Sequence, residues 1–213
     1  MALALRSGLH HCRFEAEYVF FDLSVDRYFL LSGVAAHRFG RFVSGRASAD
    51  DHEHLLSHDL LVEVPDEEMR GGRTLPAATA SLIDTPVADA PFGTAVASLL
   101  AQWRARRDLG RCRLADIVCT FGDECIDISP GMDEICGEIA AAFLRARLYA
   151  SATDQCLVRG IAMKRMLMRR GCAASLVFGV TMPFAAHCWV QTGETVLTDP
   201  LDIVLHYQPI FAV

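Results

Sequence analysis

One stretch decides the fold of the C-terminal half of the chain: CLVRGIAMKRMLMRRGCAASLVFGV (residues 156–180), followed by PFAAHCWVQ (183–191) and VLTDP (196–200). Its first part is rich in helix formers and ends at Gly171, which predicts a helix over about residues 154–170. The runs at 174–180, 186–191 and 194–199 are separated by turn residues and predict three antiparallel strands.

Cys156 stands near the start of the predicted helix. Thr153 and Asp154 are both good N-cap residues, which would place Cys156 at the second or third helical position. Unpaired N–H groups and the positive end of the helix dipole lower the pKa of a thiol there and favour the thiolate. Of the eight cysteines, only Cys156 has this placement, so it is the candidate nucleophile.

His187 and Asp199 are the candidate partners of this thiol. The turn at Thr192–Glu194 predicts a hairpin in which Gln191 pairs near Glu194 or Thr195, so that His187 lies opposite residue 198 or 199. A thiolate, a base and an orienting acid form a triad by role. Strand alternation turns Cys188 away from this site, and Asp202, the rival acid, stands beyond Pro200, where the strand should have ended.

Helices precede these strands. Residues 92–108 predict a helix with its apolar face at Val96, Leu99, Leu100 and Trp103, and residues 132–149 predict another. Helices followed by antiparallel strands make an α+β arrangement. The segment 70–91 is rich in proline, glycine and small residues and predicts a linker, which leaves one domain at 1–69 and one at 92–213.

The N-terminal part is short and strand-rich. Runs at 10–14, 17–23 and 27–31 predict a meander of strands, Gly33 to Val43 a helix, and an Asp50 or Asp51 cap a second helix. Residues 59–64 are either a helix end or a returning strand. The order suggests a small winged-helix-like module whose sheet edge accepts an extended peptide.

Composition limits the functions to consider. Hydrophobic residues make up 52% and the net charge is −6, with 26 acidic against 20 basic residues, which argues against general nucleic-acid binding. Neither a signal peptide nor an apolar run of membrane-spanning length is present, so a cytoplasmic protein with reduced thiols and no membrane contact is expected.

Metal and cofactor signals are weak. No C-x2-C pair occurs, and the neighbours His10 and His11, like His52 and His54, point in different directions on a strand or helix, so both sets are interpreted as solvated polar residues. The chain has no G-x4-G-K-[ST] loop, and no nucleotide, other cofactor or metal is assigned.

The C-terminal motifs resemble the maturation protease called the B protein of lasso-peptide clusters, over about residues 154–205. That resemblance implies a transglutaminase-like (papain-like) cysteine protease fold with the triad Cys156, His187 and Asp199. Two departures are Gln191, where many members have Glu, and Thr198, where many have Asn. Residues 8–66 resemble the precursor-recognition element fused to such proteases, which binds a leader peptide by strand addition.

The resemblance implies a cysteine peptidase that cleaves the leader from a ribosomally made precursor and hands the core peptide to a macrolactam-forming cyclase. The same triad also suits a transglutaminase-like amidase or cross-linking enzyme, with water or an amine as acceptor. A third reading is a non-enzymatic peptide-binding adaptor in which the triad is incidental. The coincidence of a helix-terminal Cys, a strand His and a following Asp disfavours it.

Overall fold

The computed structural model describes residues 2–65, 75–84, 90–122, 132–149 and 155–213. The chain divides into two compact units, Met1–Thr74 and Leu75–Val213. In both units helices and strands are mixed. Within the described ranges, no helix combines the length and apolar character that crossing a membrane requires.

The described part of the first unit contains five strands and two helices. They are β1 (Ala2–Leu5), β2 (Leu9–Phe14), β3 (Glu17–Asp22), β4 (Arg27–Leu31), α1 (Gly33–Val43), α2 (Ala49–Ser57) and β5 (Leu61–Val64). The predicted strands and helices are found here, and residues 61–64 are a returning strand, which pairs with β1. Strand β1 itself was not predicted. The other three strands form a separate antiparallel sheet in the order β2-β3-β4.

Aromatic residues hold the first unit together. Phe39 on α1 is fully buried and makes edge-on ring contacts with Tyr18, Phe20 and His11. The interpretation of His11 as a solvated residue is therefore wrong, and burial lowers the pKa of its imidazole. Helix α2 is capped by Ser48 rather than by Asp50 or Asp51, and Asp51 completes a capping box with it.

The second unit contains five helices and five strands in its described part. They are β6 (Ala80–Ser81), α3 (Phe92–Leu109), α4 (Leu114–Cys119), α5 (Met132–Ala146), α6 (Cys156–Arg169), β7 (Ser175–Thr181), β8 (Ala185–Thr192), β9 (Thr195–Val196), α7 (Leu201–Leu205) and β10 (Gln208–Ala212). The long predicted helices and the three predicted strands, now β7, β8 and β9, are present, although β9 has only two residues. Elements β6, α4, α7 and β10 were not predicted, because each is short and carries no clear periodicity.

A five-stranded sheet in the order β10-β7-β8-β9-β6 lies at the centre of this unit. Helix α6 packs on strand β8, and α3 and α5 pack on α6. The outermost strand, β6, falls inside the segment predicted as a linker; it pairs in parallel with β9, and Ser81 is buried there. Residues 75–84 are thus part of the second unit.

The predicted apolar face of α3 is wrong. Small residues form its buried face, at Ala95, Ser98 and Ala105, and this lets the helix approach its neighbours closely. Leu100 is 52% exposed and Trp103 59% exposed, and the Trp103 ring receives the guanidinium of Arg107 at 5.8 Å. A run of large apolar residues at helical spacing was therefore not the face that the core uses.

We expect Gly179→Ala to destabilise the second unit. A Cβ on Gly179 would lie 2.6 Å from Cζ3 of the buried Trp189 and 3.0 Å from Cβ of Tyr207, and a rigid ring cannot yield cheaply. The free energy of unfolding in urea should fall by about 1–3 kcal/mol. Gly137→Ala in α5, where a Cβ meets nothing within 4 Å, is the matched control and should leave stability equal or higher. Equal stability losses in the two variants would contradict this packing.

Candidate active site

Cys156 is the first residue of α6. Its N-cap is Gln155, so the cysteine occupies the first helical position rather than the second or third; Thr153 and Asp154, the predicted caps, lie outside the described residues. The thiol is partly buried at the end of the helix where backbone N–H groups lack intrahelical acceptors. This end of α6 favours negative charge on the sulfur.

His187 lies in β8 and Asp199 in the bend that follows β9. His187 Nε2 and Asp199 Oδ2 are 3.5 Å apart, and each is buried with no hydrogen-bond partner among the described residues. Because Nε2 faces the carboxylate, Nδ1 is the ring nitrogen left for Cys156, whose thiol hydrogen-bonds this imidazole. The structure thus brings the three predicted residues together in one place.

The hairpin register differs from the prediction. Gln191 pairs with Val196 and Thr192 with Thr195, and β9 contains only two residues. Asp199 therefore stands in an irregular segment, held by other bonds: Thr198 Oγ1 accepts from the Val190 amide at 3.0 Å. Asp202 lies exposed on α7, where its carboxylate accepts from the Ile203 amide, so it is not at this site.

Two arginines that sequence reasoning missed hold the segment around Asp199. Arg159, buried one turn along α6 from Cys156, donates from Nη2 to Asp199 Oδ1 at 2.7 Å. Arg147 lies 3.7 Å from the same oxygen and donates to the Thr198 carbonyl. Ser81 on β6 donates to the Asp199 carbonyl at 2.7 Å. One feature of the sequence could have indicated Arg159. It follows Cys156 by three residues in the predicted helix, and a charged side chain that is buried there needs a partner of opposite charge.

Cys188, predicted to be turned away from His187 and to be an unlikely nucleophile, nevertheless lies beside Cys156. Alternation does put it on the opposite face of β8 from His187, since the His187 and Trp189 rings stack 6.4 Å apart on their own face. Helix α6 packs on the Cys188 face, however, and a Cβ on Gly160 of that helix would lie 3.7 Å from Cys188 Sγ. The buried Cys188 thiol hydrogen-bonds Cys156.

The site favours a thiolate–imidazolium pair. The hydrogen bond from Cys188, together with the contact to His187, lowers the pKa of Cys156 to about 4 although burial opposes the shift. Burial also works against a charged His187, but Asp199 and Cys156 outweigh it and raise the pKa of His187 to about 9. Asp199 is buried, yet His187 and the charge of Arg159 hold the pKa of its carboxyl below the ordinary value. Between these two pKa values both reacting groups are charged.

Within the part of the chain that the structure describes, no group of three or more His, Cys, Asp or Glu side chains is placed to hold a metal ion. The seven cysteines in that part are all free thiols.

A partly buried thiol on a helix end, an imidazole on the adjacent strand and a carboxylate beyond the next strand are the groups that nucleophilic catalysis by a thiol requires. Residues 99–212 match the transglutaminase-like superfamily, and the chain belongs to that family. This superfamily generally comprises cysteine-peptidase-like enzymes. No curated protein and no solved structure matches the chain.

We expect Cys156 to react fastest with iodoacetamide near neutral pH, because among the described cysteines it is the one whose pKa is lowered. Its rate should follow thiolate formation with a midpoint near pH 4 and stay high through neutrality. His187→Asn and Cys188→Ala should each raise the midpoint, and one pKa unit is about a tenfold loss of thiolate at low pH. Rates come from mass mapping of alkylated peptides in a pH series that starts about one unit below the expected midpoint and ends above neutrality.

The exposed Cys112 and Cys119 are the internal controls for accessibility, since both are more accessible than the partly buried Cys156. Faster labelling of either one than of Cys156, or preferential labelling of Cys188 or Cys172, would contradict the arrangement.

Proposed function

We propose that the chain is a leader peptidase: a cysteine peptidase that cleaves the leader from a ribosomally made lasso precursor peptide before macrolactam formation. The observation that carries the chemistry is the cluster of Cys156, His187 and Asp199, with the opposed pKa shifts of the thiol and the imidazole. The resemblance of the motifs at 156–200 to lasso-peptide B proteins supports the choice of substrate.

The geometry supports a mechanism of acyl transfer through the thiol. The Cys156 thiolate attacks the carbonyl carbon at the leader–core junction, and the oxyanion forms beside the first-turn amides of α6. His187 gives its proton to the leaving amine, and Asp199 keeps the ring oriented through Nε2. Water, deprotonated by His187, then releases the leader as a carboxylate and restores the thiolate. No nucleotide or metal enters these steps.

The first unit is proposed as a winged-helix-like module that recognises the leader peptide. Among the described residues, β4 pairs with β3 only, so its other edge has no strand beside it. Apolar side chains on or next to β4 are exposed: Val25 is 65% exposed, Leu30 47% and Val34 72%. An extended peptide added to β4 would gain backbone hydrogen bonds and cover such side chains. Binding there would also raise the concentration of the scissile bond around Cys156 through the covalent link between the units.

We propose that the protein acts in the cytoplasm, where precursor peptides are made. Its proposed partners are the precursor peptide and the macrolactam cyclase that takes up the released core.

Transfer to an amine is the rival chemistry, since a transglutaminase-like site with the same groups would form a new amide. Mass spectrometry of the products separates the two: hydrolysis adds one water across the cleaved bond, whereas cross-linking joins two molecules.

We expect Asp199→Asn to reduce turnover of a precursor peptide by about a thousandfold or more, because an amide no longer stabilises the imidazolium or fixes the ring. Its amide oxygen can still accept from Arg159, so the fold should survive. Asp202→Asn is the matched control: the same change on the exposed α7 should leave turnover within about twofold, as surface changes usually do. Cleavage of the precursor is followed by chromatography, and thermal melting checks the fold. A larger loss in Asp202→Asn would contradict the assignment.

We expect binding and cleavage to separate in two full-length variants. Cys156→Ala should abolish cleavage and leave the affinity for a labelled leader peptide nearly unchanged in fluorescence anisotropy. Leu30→Arg should weaken leader binding by about tenfold, because a charge replaces an apolar side chain on the proposed edge. It should not change the alkylation rate of Cys156.

Leu100→Arg on α3 serves as the matched control, because that side chain is 52% exposed and lies in the second unit. Its leader affinity should equal that of the wild type. Unchanged affinity in Leu30→Arg, or an equal loss in both arginine variants, would rule out recognition at β4.

A further inference from the structure

The two thiols of Cys156 and Cys188 lie side by side in the candidate site. The Cys188 thiol is 3% exposed and interacts with Cys156, which is partly accessible. A Cβ on Gly160 would lie 3.7 Å from Cys188 Sγ and only 2.6 Å from Leu176 Cδ1, so the missing side chain lets α6 lie close to β7 and β8. Helix α6 therefore rests directly on Cys188, one turn along from Cys156.

We propose that Cys156 and Cys188 are a modification site, at which a peroxide converts the two thiols into a reversible disulfide. The mechanism proposed above gives Cys188 no step; its only effect in the resting site is to help lower the pKa of Cys156. The disulfide consumes the Cys156 thiolate and should therefore stop catalysis, an expectation that rests on the proposed function. The formation of the disulfide does not rest on it.

The reaction needs one peroxide and two thiols. The Cys156 thiolate attacks a peroxide oxygen, the O–O bond breaks, and sulfur is oxidised to a sulfenic acid while the other oxygen leaves and becomes water on protonation. Cys188 then attacks the Cys156 sulfur: the S–S bond forms, the S–O bond breaks, and the hydroxyl departs as water with the proton of Cys188. Overall, two thiols and one hydrogen peroxide give one disulfide and two waters. A dithiol reductant reverses the change by exchange.

The same contact that keeps Cys188 protonated in the resting site is released by the first step. The neighbouring Cys156 sulfur is the largest cause of the raised pKa of Cys188, ahead of burial. A sulfenic acid is neutral and accepts a hydrogen bond more weakly than a thiolate does, so oxidation of Cys156 loosens its hold on the Cys188 proton and makes the Cys188 thiol a better nucleophile. Because the attacking thiol is already in contact with the oxidised sulfur, the second step should outrun further oxidation to the sulfinic acid.

A second thiol pair in the same unit makes a natural comparison. Cys136 on α5 hydrogen-bonds Cys172, and both are buried. Burial is the main cause that raises the pKa of Cys136 to about 12, so it holds almost no thiolate near neutral pH. The Cys136–Cys172 pair should therefore resist peroxide, because contact without a stabilised thiolate is not sufficient. Cys156 has such a thiolate.

The test treats the full-length chain with a few equivalents of hydrogen peroxide at pH 7 and maps disulfides by mass spectrometry without reduction. The expected result is a Cys156–Cys188 disulfide that forms at least about tenfold faster than any Cys136–Cys172 disulfide. Dithiothreitol should return both thiols. Dimedone, which traps sulfenic acids, should label Cys156 weakly in the wild type and strongly in Cys188→Ala. Cys172→Ala, which breaks the other pair, should still form the disulfide.

Other outcomes overturn the proposal. The proposal is overturned if the peroxide-treated wild type carries a sulfinic acid or a strong dimedone adduct on Cys156 and no disulfide to Cys188. Faster oxidation of the Cys136–Cys172 pair would overturn it as well. Thiol mapping needs no substrate, so a chain that forms the disulfide but cleaves no precursor would refute only the proposed function. An active peptidase that forms no disulfide would refute only this inference.

Discussion

The carboxylate of Asp199 is almost fully buried, and the candidate site depends on how its charge is compensated. Arg159 takes one carboxylate oxygen at 2.7 Å, which leaves the other to face the imidazole of His187. A buried carboxylate without such a partner would take up a proton and could no longer favour an imidazolium. A buried ion pair such as Arg159–Asp199 is weak evidence for stability, so we interpret Arg159 as the residue that orients the Asp199 carboxylate.

Arg159 lies one turn along α6 from Cys156, so one helix supplies both the nucleophile and the cation that holds the acid. Packing of that helix positions the side chains of Cys156 and Arg159 directly and, through them, those of His187 and Asp199. Gly160 lets α6 approach β8, and Gly179 opposite His187 makes room for the Trp189 ring, which stacks on the imidazole. The site is thus set by close helix–sheet contact more than by any single hydrogen bond, and the 3.5 Å gap between His187 and Asp199 is free to shorten when substrate binds.

Sequence patterns predicted the elements that carry the triad, because a capped helix and an alternating strand leave strong local signals. They failed where tertiary packing decides. The face of α3 was wrong because its core contacts are made by Ala95, Ser98 and Ala105, whose small side chains permit close approach, while Trp103 remains outside. Alternation correctly turned Cys188 away from His187, but it could not tell that α6 covers that face. The partners of Asp199 lie 40 and 52 residues away in the chain at Arg159 and Arg147, and no periodicity joins such positions.

Gln191, a departure from the pattern of lasso-peptide B proteins, has a physical role of its own. Its amide donates to the carbonyls of Pro76 and Gly193 at 2.8 and 2.7 Å, while its oxygen accepts from the Trp189 indole at 3.1 Å. A carboxylate could accept from the indole but could not donate to either carbonyl. The neutral amide therefore joins the segment before β6 to the end of β8. It also places no second negative charge on the face of β8 that carries His187. The segment before the outermost strand is therefore tied to β8 on the same face as the imidazole.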